Sequence, residues 1–99
     1  MALDLYAGPF HEIIRHQDEY LFELASKDPA KYPELCMVYN AFYSDPVLSD
    51  QCAGRLVHEL IELLDADRQN KLLVLTVIRL LPFFSRAHRG KHEIRSASD

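Results

Sequence analysis

The most continuously apolar stretch of the chain runs from Leu72 to Phe84 and reads LLVLTVIRLLPFF. Eleven of its thirteen residues are apolar or proline, and only Thr76 and Arg79 are polar. A segment that is apolar on nearly every side is typical of a buried helix, so we predict that the rest of the chain packs around it. On this interpretation Leu75 and Ile78 are core residues, whose truncation to alanine is costly.

This stretch is too short for a membrane-spanning helix, which needs about 20 apolar residues. Lys71 and Arg86 bound it, and we therefore predict no membrane segment. Its β-branched residues would also suit a strand, but the helical pattern continues as far as Gly90, a typical helix stop. Pro82 predicts a kink near the end of this helix.

Helical periodicity recurs in three earlier segments, which are separated by turn signals such as Asp28-Pro29 and Ser44-Asp45-Pro46. The sequence therefore predicts an all-α fold, a single-domain four-helix bundle with a buried C-terminal helix kinked near Pro82. The predicted helices cover residues 10–26, 33–43, 50–66 and 68–88. Residues 91–99 are predicted as a flexible tail or, as the alternative, a short edge strand.

Charge is divided unevenly along the chain, although the net charge is only −4. Residues 1–67 carry thirteen acids and four bases, whereas residues 68–99 carry seven bases and two acids. Either the two parts neutralise each other within the fold, or they form an acidic face for a basic partner and a basic edge for an anion. The sequence pI of about 5.7 opposes nucleic-acid binding.

Two features predict a cytoplasmic protein. The first ten residues, MALDLYAGPF, lack the basic and long apolar regions of a signal peptide. Cys36 and Cys52 belong to no CxxC pair, which suits two reduced thiols, with a single disulfide between them as the alternative.

Aromatic and acidic residues on the first three predicted helices are candidates for binding a partner. Phe22 lies among charged residues, where it is either covered by a neighbouring helix or part of an exposed patch. Tyr39 and Tyr43 of the second helix form a stripe, which Tyr32 joins if the helix begins early. Such a stripe suits either a half-buried core edge or an interface. The candidate partner-binding residues are Phe22, Tyr32, Tyr39, Tyr43, Glu19, Glu23, Glu59 and Glu62.

The segment His58-Glu59-Leu60-Ile61-Glu62 begins like the zinc-binding motif HExxH, but Glu62 replaces the second histidine. His58, Glu59 and Glu62 are therefore the alternative site, for a metal or a small molecule, whereas surface ion pairs explain them equally simply. No further ligand is identifiable, and the chain has no glycine-rich phosphate loop and no thiol paired with a histidine. We accordingly predict no cofactor, no metal and no catalytic residue.

These observations favour a non-enzymatic protein-interaction module. One form is a small acidic bacterial immunity or inhibitor protein that binds a basic partner. Another is a homodimeric helical domain that associates through its second helix.

Overall fold

The computed structural model describes residues Ala2 to Ser98, and within this range the chain forms four α-helices and one three-stranded antiparallel sheet. The helices are α1 (Glu19–Ser26), α2 (Pro33–Asn40), α3 (Asp50–Ala66) and α4 (Lys71–Arg89). The strands are β1 (Ala2–Ala7), β2 (Phe10–Arg15) and β3 (Arg95–Ser98), in the sheet order β2-β1-β3. The prediction of an all-α four-helix bundle is therefore wrong, because the fold is mixed α and β.

The β1–β2 hairpin replaces the start of the first predicted helix. Leu3, Leu5 and Ala7 are buried and alternate with more exposed residues, which is the period of a half-buried strand. Gly8, with a φ of 56°, begins the two-residue turn, a position where glycine meets no steric penalty. Residues 10–15 pair with β1, and only residues 19–26 of the predicted helix 10–26 are α-helical.

Strand β3 lies within the predicted flexible tail and forms the other edge of the sheet. It pairs antiparallel with β1, with Leu3 opposite Ser98. Ile94, just before the strand, is fully buried, and the Ser98 backbone N–H donates to the Asp45 carboxylate at 2.7 Å. Residues 95–98 thus form the short edge strand that was the alternative to a flexible tail, and Asp99 lies outside the described residues.

Helices α3 and α4 are antiparallel neighbours that supply much of the core. α3 spans the range that its apolar pattern predicts, and the Ser49 side chain caps it by accepting from the Cys52 N–H at 3.1 Å. Asn70 caps α4 in the same way by accepting from the Leu73 N–H at 3.2 Å. α4 remains helical across Pro82.

One side of α4 faces the core, and the other side faces solvent. The buried residues of α4 lie on one side of the helix and are Leu73, Thr76, Val77, Leu80, Phe83, Phe84 and Ala87. In contrast, Leu72 is 50% exposed, Leu75 is 68% exposed and Ile78 is 60% exposed. The prediction of a helix buried on nearly all sides, with Leu75 and Ile78 in the core, is therefore wrong. The cause is that α3 and the sheet cover a single side of α4.

Arg79 attaches α4 to β2 and to the segment that joins β2 to α1. Its guanidinium donates to the Glu12 carboxylate and to the Ile13 carbonyl oxygen, both at 2.7 Å, and also to the Asp18 carboxylate. Asp18 is buried and also accepts from the Arg15 backbone N–H at 2.9 Å. A buried carboxylate needs such partners, because an unpaired charge in the interior is costly.

Candidate functional site

Four of the predicted partner-binding residues come together on the outer side of α1 and α2. The Tyr39 hydroxyl lies 3.4 Å from a Glu23 carboxylate oxygen, and the Tyr43 hydroxyl lies 3.4 Å from a Glu19 carboxylate oxygen. We call these four residues the acid–tyrosine surface. Tyr43 is 54% exposed, and Glu23 is also exposed.

The tyrosine hydroxyls of this surface act as donors to the carboxylates. Partial burial, followed by the nearby carboxylates of Glu23 and Glu19, raises the pKa of Tyr39 above its usual range. Partial burial and then Glu19 raise the pKa of Tyr43 in the same way. Both hydroxyls therefore keep their protons at neutral pH. Glu23 remains exposed, whereas the Glu19 side chain is 15% exposed and its carboxylate also lies 2.9 Å from His16 Nδ1.

Phe22 and Tyr32 do not reach this surface. Phe22 is 1% exposed and Tyr32 is 4% exposed. The Phe22 ring lies beneath the surface, 6.2 Å from the Tyr39 ring and 6.4 Å from the Phe42 ring, measured between centroids. Both residues are core residues in this structure, so neither side chain is available to a partner.

Glu59 caps α2 and is not a surface residue. It is 5% exposed, and its carboxylate accepts from the backbone N–H groups of Glu34 at 3.1 Å and Leu35 at 3.0 Å. These two N–H groups belong to the first turn of α2, which begins with Pro33. N–H groups in the first turn of a helix have no acceptor within the helix, and a carboxylate at this end is favourable. The helical wheel of α3 places Glu59 on the polar side, but the start of α2 covers that point.

The remaining pair of the HExxH-like segment is an exposed ion pair. His58 Nε2 lies 3.8 Å from Glu62 Oε1, and the His58 side chain is 75% exposed. Between Ala2 and Ser98, no three His, Cys, Asp or Glu side chains are grouped so that they would hold a metal ion. Within the described residues, the alternative metal site therefore has two possible ligands, His58 and Glu62, and no third ligand beside them.

A cavity of about 490 Å³ lies beside His58, between the start of α2, the middle of α3 and the end of α4. Its polar side chains are largely engaged within the protein. Arg55 Nε donates to Glu34 at 2.5 Å, Glu59 caps α2, and His88 Nδ1 lies 2.9 Å from the Asp50 carbonyl oxygen. Such a carbonyl accepts only, so Nδ1 carries the proton.

The exposed side of α4 presents a surface that the sequence interpretation missed. Leu72, Leu75, Ile78 and Pro82 are exposed on one face of the helix, and we call them the α4 apolar surface. Ile61 of α3, 49% exposed, lies in a groove that reaches Val74 of α4. Contiguous exposed apolar residues of this kind are typical of binding surfaces, whereas single ones are ordinary.

A sequence signal for this surface exists in the arginines of α4. At 100° per residue, Arg79 and Arg86 fall in the same sector as Leu72 and Leu75. Arginine side chains rarely point into a core without a partner. Their position therefore predicts that this sector of α4 is exposed to solvent, including Leu72 and Leu75.

Both cysteines are free thiols. Burial, followed by the hydrogen bond to Glu34, raises the pKa of Cys52 to about 12. Burial also raises the pKa of Cys36. Neither thiol is therefore an activated nucleophile, which requires a lowered pKa.

No described helix, α4 included, combines the length and apolar character that crossing a bilayer requires. No protein-family model, no curated protein and no solved structure matches this chain.

Proposed function

We propose that the protein is a non-enzymatic protein-interaction module that docks a partner protein through the α4 apolar surface. The observation that carries this proposal is the exposure of Leu72, Leu75 and Ile78, which lie on one face of a well-packed helix and are 50%, 68% and 60% exposed. A partner that covers them removes apolar area from water, which is the main favourable term in protein association.

The size of this contribution sets the extent of the interface. Fully burying a leucine or isoleucine side chain contributes about 1.5–3 kcal/mol, so covering these half to two-thirds exposed side chains contributes roughly 3–5 kcal/mol in total. A micromolar complex requires about 8 kcal/mol. The docked partner therefore extends beyond these residues, for example over Ile61 and the polar margin of α4.

The acid–tyrosine surface is the second candidate docking surface for an interaction module of this kind. Glu19 and Glu23, each held by a tyrosine hydroxyl, form an oriented acidic surface that suits a basic partner. This is the arrangement expected of a small acidic bacterial immunity or inhibitor protein. In this form the protein acts in the cytoplasm, which suits two unpaired cysteines.

Comparative capture tests the proposal and separates its two surfaces. Wild-type protein, the Leu75→Gln/Ile78→Gln variant and the Glu19→Gln/Glu23→Gln variant are immobilised and exposed to an extract of the source cells. Met37→Gln, which changes a 39% exposed apolar residue of α2, is the matched control.

A partner that is retained by wild type and Met37→Gln but lost by Leu75→Gln/Ile78→Gln supports docking on α4. Loss only in the Glu19→Gln/Glu23→Gln variant supports the acidic form and contradicts docking on α4. Equal capture by all four proteins contradicts both surfaces. Light scattering at several protein concentrations tests for a homodimer, in which the docked partner is a second copy of the chain.

A further inference from the structure

The α4 apolar surface has an unpaired cation at each end. Lys71 begins the helix just before Leu72, and Arg86 follows Pro82 by one turn. Both fall within about 40° of the centre of the apolar stripe when residues are placed at 100° intervals. At 1.5 Å per residue the two cations are about 22 Å apart, on either side of an apolar stretch about 15 Å long.

Neither end cation has a carboxylate partner among the described residues. Neither Lys71 nor Arg86 forms an ion pair there, and the Arg86 guanidinium carbon lies 5.4 Å from the centroid of the Phe10 ring. In contrast, Arg79 is neutralised by Glu12 and Asp18.

Helix α4 contributes no negative charge to this surface. The chain has no acidic residue from Arg68 to His92. The exposed face of α4 is therefore apolar in the middle and positive at both ends, although the protein as a whole carries a net charge of −4.

We propose that this face binds an amphipathic helix of a partner protein, with carboxylates at both ends of its apolar side. This inference rests on the proposed function and names the chemistry of the partner. Three helical turns match the apolar length, and acidic residues about 15 positions apart reach the two cations. The acidic ends set orientation and register, and the aliphatic side chains supply most of the affinity.

A second copy of the chain fits this face less well than such a helix. An antiparallel pair of α4 helices centred between Leu75 and Ile78 brings Arg86 of one copy opposite position 67 of the other copy, at an end that carries Asp65 and Asp67 as well as Arg68 and Lys71. A parallel pair brings each cation opposite its own equivalent. Like charges therefore oppose each other in the parallel arrangement, and in the antiparallel one Lys71 meets no acidic residue of the other α4 helix, whereas a helix with acidic ends pairs with both cations.

An anionic membrane also fits less well, because Asp65 pairs with Arg68, which leaves Lys71, Arg86 and Arg89 as the free cations of this sector among the described residues, and the chain contains no tryptophan. Stable attachment of an amphipathic helix to lipid usually combines a strongly basic polar face with aromatic or leucine anchors.

Fluorescence anisotropy with synthetic helices tests the inference on the full-length protein. The probe is a helical peptide of about 18 residues with leucines at i, i+3, i+4, i+7 and i+11 and glutamates about 15 positions apart at the two ends of that face. The matched probe carries lysines in place of those glutamates. We expect the acidic probe to bind about tenfold more tightly than the basic probe, with a preference that shrinks in high salt.

Two variants assign the effect to the surface. Lys71→Glu/Arg86→Glu should reverse the preference between the probes, and Leu75→Gln/Ile78→Gln should lose both, while circular dichroism confirms that each variant is folded. Met37→Gln should bind as wild type does.

Equal affinity for the two probes, a preference for the basic probe or no binding of either would overturn the acidic-helix inference. Docking on α4 itself would still stand if the captured partner depends on Leu75 and Ile78. Stronger binding to phosphatidylglycerol vesicles than to the acidic probe would indicate a membrane surface instead. A dimer that Leu75→Gln/Ile78→Gln abolishes would indicate a second copy.

Discussion

Leu80 and Leu75 lie on opposite sides of α4, and the same change to alanine at both positions tests which side is buried. Leu80 is 0% exposed, whereas Leu75 is 68% exposed. A leucine-to-alanine change in a packed core costs about 2–5 kcal/mol, because it removes buried carbons and leaves a cavity. Leu80→Ala should lower the free energy of unfolding by that amount.

The expected cost at Leu75 is smaller because only about a third of the residue is removed from water. Three carbons at about 0.8 kcal/mol each, scaled by that third, give about 0.8 kcal/mol. Alanine's higher helix propensity offsets a small part of this loss. Leu75→Ala should therefore cost less than about 1 kcal/mol.

Urea unfolding followed by circular dichroism measures both losses, provided that the slope of free energy against urea is unchanged. The measurement is repeated at two protein concentrations, since a cost that depends on concentration reports a second copy on α4. Similar losses of several kcal/mol for Leu75→Ala and Leu80→Ala at both concentrations would refute the one-sided burial of α4.

Three further predictions concern the other contacts described above. Glu59→Ala should destabilise the protein by about 2–4 kcal/mol, because two N–H groups of α2 lose a charged acceptor. The control Glu62→Ala, at a more exposed position, should cost less than about 0.5 kcal/mol. Equal effects of the two changes in thermal melting would contradict the capping role of Glu59. Arg79→Ala should cost about 2–3 kcal/mol by leaving a buried carboxylate unpaired, against less than about 0.5 kcal/mol for Arg68→Ala, whose ion pair is exposed; urea unfolding distinguishes them. Burial raises the pKa of the Cys52 thiol to about 12 in the folded protein, compared with about 8.5 in an unfolded chain. The protonated thiol therefore contributes its full stability below about pH 8, and this contribution is lost as the pH rises from the unfolded pKa to the folded pKa. Cys52→Ala should therefore lose less stability than wild type as the pH rises above about 8. An unchanged dependence of the free energy of unfolding on pH would show that folding does not raise the pKa of this thiol.

The apolar pattern of α3 and α4 is strong enough to predict both helices from the sequence. The pattern of residues 10–15 is not, because Phe10, Ile13 and Ile14 have the spacing of a helical face and also fit a strand. Their actual state depends on pairing with β1, which in turn pairs with β3 at the far end of the chain. Such non-local pairing overrides local propensity, and the polar sequence RSAS of β3 gives little sign of it.

Burial on the polar and apolar sides of a helix is the other feature that periodicity does not decide. Glu59 appears exposed on the helical wheel of α3, yet the first turn of α2 covers it. Leu75 and Ile78 appear buried, yet no described element covers them. The acid–tyrosine surface was partly predictable, because Tyr39, Tyr43, Glu19 and Glu23 follow from two helical faces, whereas the burial of Phe22 depends on how those helices pack.

Site-specific photocrosslinking tests the central claim, that the exposed face of α4 is a docking surface, most directly. A benzophenone amino acid is placed at Ile78 in one protein and at His58 in another, since both positions are well exposed but only Ile78 belongs to the α4 apolar surface. On irradiation in source cells, the protein labelled at position 78 should form a discrete adduct with another protein, and the protein labelled at position 58 should not. Identical adducts from both positions, or no adduct from position 78, would contradict docking on α4.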